Sequence, residues 1–270
     1  MLALIALIAR SLVRVRGVLF GASCLVACFQ AAIVLQAASF EERQAFATLG
    51  QMMPAFLQRW MGDSMVALAS FRGLVAFGYF HPMIVLVHAM VAAFIASELA
   101  ADVEAGHVDL LLARPVPRRR LVTRSALLLV VCPTVLASLM MAATFAAVAL
   151  FAPTAAPWPS VTTILTLAAH IVGVATCFGA LSLALGSFVR RRSAAFGPTA
   201  LIAVGLYLTN VLAASWRPAQ WVDVISPFHY FQGASIVAGL TDPAKDLCVL
   251  VAMAAGLVST AYWRFSVRDL

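Results

Sequence analysis

Three histidines and one lysine are the residues inside or beside long apolar runs whose types could do chemistry. His81 and His88 are seven apart in one run, and His170 lies in another. Seven residues is close to two helical turns, so the first pair shares a face, as partners in a metal site or proton relay must. Such a site also needs a carboxylate or further ligand within the run, and every acid of this sequence falls at a run's end. The histidines therefore read as neutral, hydrogen-bonded packing residues. The cysteines, Cys24, Cys28, Cys132, Cys177 and Cys248, read the same way: all are in apolar runs and none forms a CxxC pair. Lys245 is the only lysine, in Pro243-Ala244-Lys245-Asp246. A Walker-type phosphate loop ends in Gly-Lys-Ser/Thr, so this chain does not hydrolyse ATP by that route. HExxH and GxSxG are absent too. No catalytic, metal or cofactor residue is expected on this chain.

The segment 98–120 carries a denser pattern. Glu98, Asp102, Glu104 and Asp109 lead, Gly106 and His107 lie among them, Leu110, Leu111 and Leu112 follow, and Pro115 and Pro117 precede Arg118, Arg119 and Arg120. Glu98 and Asp102 are four apart and share one helical face. The leucines suit a membrane surface or a partner, and the prolines end the helix. Two readings stay open on these residues alone: an ordinary amphipathic loop helix with a basic tail, or a handle for a second protein.

The elements that position this segment follow from composition. The chain has 270 residues, 63% of them hydrophobic and 11% charged, against about 25% charged in soluble domains. Its mean hydropathy is +0.99. The bilayer is the only solvent that accommodates so much apolar surface. A spanning helix needs about 20 largely uncharged residues. Six such spans are expected, at about 18–38, 74–97, 127–151, 161–188, 195–214 and 247–263, in a single transmembrane domain, 1–270. Three prolines in Ala152-Pro153-Thr154-Ala155-Ala156-Pro157-Trp158-Pro159 divide the third from the fourth.

Residues 1–17, with Arg10 and Arg14 on one face, are expected as an interfacial helix. Leu49, Met52, Met53, Phe56, Leu57, Trp60 and Met61 recur at helical spacing and predict an amphipathic helix on the outer side. Residues 216–246 are too apolar for a solvated loop and predict a membrane-dipping helix or hairpin begun by Pro227. An inside N-terminus places thirteen of the eighteen basic residues on the cytoplasmic side, leaving Arg43, Arg59, Arg72, Arg217 and Lys245 outside. The positive-inside rule then puts both termini in the cytoplasm. The net charge of +7 is spent on topology. No basic stripe interleaved with aromatics points to nucleic acid.

Residues 102–118, Asp102-Val103-Glu104-Ala105-Gly106-His107-Val108-Asp109-Leu110-Leu111-Leu112-Ala113-Arg114-Pro115-Val116-Pro117-Arg118, resemble the signature loop of ABC type 2 permeases, the membrane subunits of ATP-binding-cassette exporters. Asp102 and Glu104 match the family's acids, Gly106 its glycine, Leu111 and Leu112 its leucines, and Pro115, Val116 and Arg118 its end. His107 replaces a usual threonine and Pro117 a serine. Ile225-Ser226-Pro227-Phe228 before the last span is similar as well. The resemblance implies a coupling helix in which Glu98, Asp102, Glu104, Gly106, His107, Asp109, Leu111, Leu112, Pro115 and Arg118 meet a separate ATPase subunit. ATP and Mg would be held on that partner. It further implies a homodimer or heterodimer of permeases in the cell's inner membrane, with the substrate path between the two bundles. Two other classes compete: a membrane scaffold or assembly factor with an ATPase partner, and an intramembrane enzyme using the histidines.

Overall fold

The computed structural model describes residues 2–43, 68–107, 117–154, 156–213 and 216–267. The expected amphipathic helix around Met52–Met61 lies outside them. Among the described residues the chain is all-α, with six helices long and apolar enough to cross a membrane.

The first is α1, Leu2–Glu42, a single unbroken helix of 41 residues. The expected boundary at residue 17 is absent, because nothing near it breaks a helix: Gly17 and Gly21 have open space around them and no proline intervenes. At 1.5 Å per residue α1 is about 62 Å long, twice the hydrocarbon thickness.

The second span, expected as one helix over 74–97, is two pieces, α2, Phe71–Phe80, and α3, Pro82–Ala96, and the short helix α4, Glu98–Glu104, follows it. Pro82 causes the first break. It forces the preceding residue out of helical geometry, and His81 has φ −59°, ψ 130°. Its Nδ1 accepts the Met83 N–H at 3.3 Å, capping α3, while its ring packs on Phe29 and Phe77. His81 and His88 therefore do not share a continuous helix face. His88 and His170 each donate Nδ1–H to the carbonyl one turn back, Ile84 and Thr166, at 2.8 Å.

The remaining spans are α5, Arg118–Phe151; α6, Val161–Phe188; α7, Arg192–Ala213; and α10, Pro243–Ser266. The helix α5 starts nine residues before its apolar core, so the basic cluster forms its first turns. Between α7 and α10 lie α8, Arg217–Asp223, a 3-10 turn at Pro227–Tyr230 and α9, Gly233–Ala238. Pro227 begins the turn as expected, but the helix starts only at Gly233, where a Cβ would run into the Phe80 ring. Phe228 packs on Phe178 and Tyr207, and Phe231 stacks on His170. Asp223 ties the segment together, accepting from Asn210 at 3.0 Å and facing His229 Nδ1 at 2.7 Å.

Helix α6 is the centre of the bundle, in contact with α3, α5, α7 and α10. Against α3 and α4 it runs parallel: Gly179 meets Ala92 and Ser182 donates to the Ala93 carbonyl at 2.8 Å on α3, and Gly186 faces Ala100 of α4. Small residues permit this approach. A Cβ at Gly179 would lie 3.2 Å from the Ala92 carbonyl oxygen and press on Leu129. Gly179→Ala is therefore expected to lower stability by about 1–3 kcal/mol. Gly256→Ala on α10, where nothing lies within 4 Å, is expected to be neutral or mildly stabilising. Thermal melts of the two purified variants in detergent check this; equal effects would contradict the packing argument.

Candidate coupling site

Ser97 closes α3 and its backbone turns the chain directly into α4, whose first residue is Glu98. Gly106 ends α4. Its φ of +66° is the left-handed geometry that only glycine adopts cheaply, and its N–H closes on the Val103 carbonyl at 3.1 Å. Within α4 the i, i+4 pair Glu98 and Asp102 faces inward, with side chains 1% and 4% exposed.

Three arginines from three other helices meet them. Arg14 of α1 places Nη1 2.8 Å from both Glu98 Oε2 and Asp102 Oδ1. Arg124 of α5, itself 3% exposed, donates to Asp102 Oδ2 at 2.7 Å. Arg192, the first residue of α7, reaches Glu98 Oε1 at 3.0 Å. Its Nε donates to Ser97 Oγ at 3.0 Å and its Nη2 to the Phe94 carbonyl at 3.1 Å. Its guanidinium also lies 3.7 Å over the Phe94 ring, and its backbone N–H donates to Glu104 Oε2 at 2.9 Å. Every carboxylate oxygen of Glu98 and Asp102 thus lies within ion-pair distance of an arginine; three of the four accept a hydrogen bond from it, and Glu98 Oε1 does not. Burying such charges costs several kcal/mol each unless they are paired.

The network makes α4 the point where α1, α5 and α7 are tied together at the arginine-rich end of the bundle. Three positive charges against two buried acids leave one in excess, and the carboxylate of Glu104, held at the Arg192 backbone N–H, lies close enough to balance it. His107 Nδ1 is 3.7 Å from Asp102 Oδ1, too far for a hydrogen bond. Glu104 and Ala105 are exposed and form the outer tip, with Gly106 and His107 half-buried beside them. Arg118 starts α5. Asp109, Leu111, Leu112 and Pro115 lie outside the described residues.

The expected acids are thus brought together, but with internal partners that sequence reasoning assigned to topology alone. One signal was available. Arg124 stands alone at the edge of a long uncharged run, where a charge needs a partner. Arg14 and Arg192 carried no comparable mark. Among the described residues no group of three or more potential metal ligands occurs.

Residues 9–270 match a family model described as ABC-2 family transporter protein. The chain belongs to the ABC-2 transporter family. No curated protein matches it. ABC-2 proteins are membrane subunits of transporters that work with an ATP-binding-cassette ATPase, and the multi-pass architecture of this ABC-2 chain agrees with that class.

Proposed function

We propose that this ABC-2 chain is the permease subunit of an ATP-binding-cassette exporter, with nucleotide chemistry on a separate ATPase and the substrate path at a dimer interface. The observation that carries the reading is the ion network on α4. A seven-residue helix with an exposed acidic tip is joined by buried charges to three separate spanning helices. A push on the tip is therefore delivered to α1, α5 and α7 together. The buried acids position the helix, and Glu104, Ala105, Gly106 and His107 meet the partner, together with the Asp109, Leu111, Leu112, Pro115 and Arg118 segment that follows.

In this reading both termini are cytoplasmic and the protein is in the inner membrane, since the network gathers arginines of α1, α5 and α7 at one end. The N-terminal turns of α1 extend beyond the hydrocarbon along the interface, and the 217–238 segment dips from the outer side. The uncharged spans favour an apolar or amphipathic substrate.

The test uses the purified permease with its ATPase in proteoliposomes. Ala105→Arg adds bulk and charge at the exposed tip and removes no bond of the network, so the bundle should fold normally while ATPase association weakens about tenfold or more and ATP-dependent flux falls with it. Normal association and flux in Ala105→Arg would count against the docking role. ATPase association without any ATP-dependent flux in the native protein would favour a force-transmitting scaffold instead.

A further inference from the structure

Helices α5, α6 and α10 enclose a groove of about 580 Å³. Leu129 and Ala137 of α5, Ala168 and Gly173 of α6, and Leu250 and Ala254 of α10 form its floor and walls. The threonines at its edge offer no free donor: Thr134 bonds back to Val130 at 2.7 Å and Thr176 to Val172 at 2.7 Å. On α5 the groove runs from Ala126 to Met141, about 22 Å at 1.5 Å per residue, which exceeds the roughly 15 Å depth of one leaflet.

The groove's arginine-rich end is polar. Seven residues before Ala126, and so on the same face of α5, stands the exposed Arg119. Between them Thr123 accepts the Tyr262 hydroxyl at 2.8 Å, joining α5 to α10. Arg120 is exposed beside Arg119, and exposed Trp263 marks the headgroup level on α10. Neither Arg119 nor Arg120 has an ion pair among the described residues, because Glu98, Asp102 and Glu104 are engaged by the network.

We infer that this groove is a binding site for an anionic phospholipid, one acyl chain lying along α5, α6 and α10 and the phosphate held at Arg119. Charge decides against a second copy of the chain as the occupant. Two copies in one membrane share an orientation, so their arginine-rich ends would meet and Arg119 and Arg120 of each would face those of the other. An anionic headgroup removes that charge, and an acyl chain matches the uncharged lining. The site rests on the chain's membrane location; only the identity of the leaflet rests on the orientation proposed above.

The experiment measures binding of phosphatidylglycerol, phosphatidylcholine and glycerol phosphate to the purified chain in detergent by native mass spectrometry, without ATPase or transport. Phosphatidylglycerol is expected to bind about fivefold more tightly than phosphatidylcholine, with Arg119→Gln abolishing that preference. Ala255→Phe, an exposed lining position, should weaken retention of both lipids, with Ala169→Phe on the facing wall as its check. Arg10→Gln, at an exposed position on α1, should change nothing. Equal binding of the two lipids, or a preference that survives Arg119→Gln, overturns the headgroup assignment. Glycerol phosphate binding as tightly as the lipid overturns the acyl-chain assignment. A change of oligomeric state in Ala255→Phe, with lipid retention unaltered, assigns the groove to a second copy.

Discussion

Asp102→Asn is expected to destabilise the folded chain by about 3–5 kcal/mol, although the side chain keeps its size and can still accept hydrogen bonds. The reason is what the substitution leaves behind. Arg124 is 3% exposed and its ion-pair partner is Asp102. Without that carboxylate a guanidinium remains in a dry site at the edge of the bilayer, and Arg14 keeps only Glu98. Adding Arg124→Gln should recover much of the loss, since removing both members of a buried pair is far less costly than removing one. Thermal melts of native, single and double variants in one detergent give the comparison. A single variant within about 1 kcal/mol of native would mean that the network is solvated and that α4 is not anchored by it. Charge reversal at Asp102 is accordingly a poor probe of partner docking: it would disrupt the bundle before any ATPase met it. Ala105, exposed at the tip and without a side-chain bond to the network, separates the two questions.

The length of the uncharged runs carried most of the fold. Each of the six long helices begins or ends within a few residues of an uncharged stretch, because length without charge is what a bilayer selects. The three differences have local causes. Residues 1–17 and 18–38 merge into α1 because a change of solvent along a helix is no reason for its hydrogen bonds to stop. Span two breaks at His81 because of Pro82, a signal present in the sequence and outweighed there by the continuous hydropathy of residues 74–97. The start of α5 at Arg118 follows from good helix formers continuing past the membrane boundary. At the site, the i, i+4 spacing placed Glu98 and Asp102 together and the left-handed Gly106 explains why a glycine stands there. The partners were not legible. Arg14 is 84 residues from Glu98 and Arg192 is 98 residues from the Phe94 carbonyl it meets. Spacing along the chain says nothing about which of seventeen arginines a fold will bring to a given acid.

Arg192→Lys preserves charge at the hinge between α6 and α7, yet it is expected to cost about 2–3 kcal/mol. The arginine's planar fork donates to two acceptors at once, Ser97 Oγ and the Phe94 carbonyl, and sits in ion-pair contact with Glu98 Oε1, while its face lies on the Phe94 ring. An ammonium group is a single point on a flexible stem and can replace one of these contacts, with no planar face to stack. Glu98, 1% exposed, then depends on Arg14 alone. The bond from the Arg192 backbone N–H to Glu104 is unaffected by the substitution, so the start of α7 stays beside the tip of α4. What changes is the stiffness with which motion of α4 reaches α7. Melting and ATP-driven flux, measured together in Arg192→Lys and Ala105→Arg, distinguish the roles. Arg192→Lys should lose stability and flux while retaining ATPase association, whereas Ala105→Arg should lose association and flux while melting like the native protein. If Arg192→Lys behaves as native in both measurements, α7 does not take its displacement from α4 through this side chain.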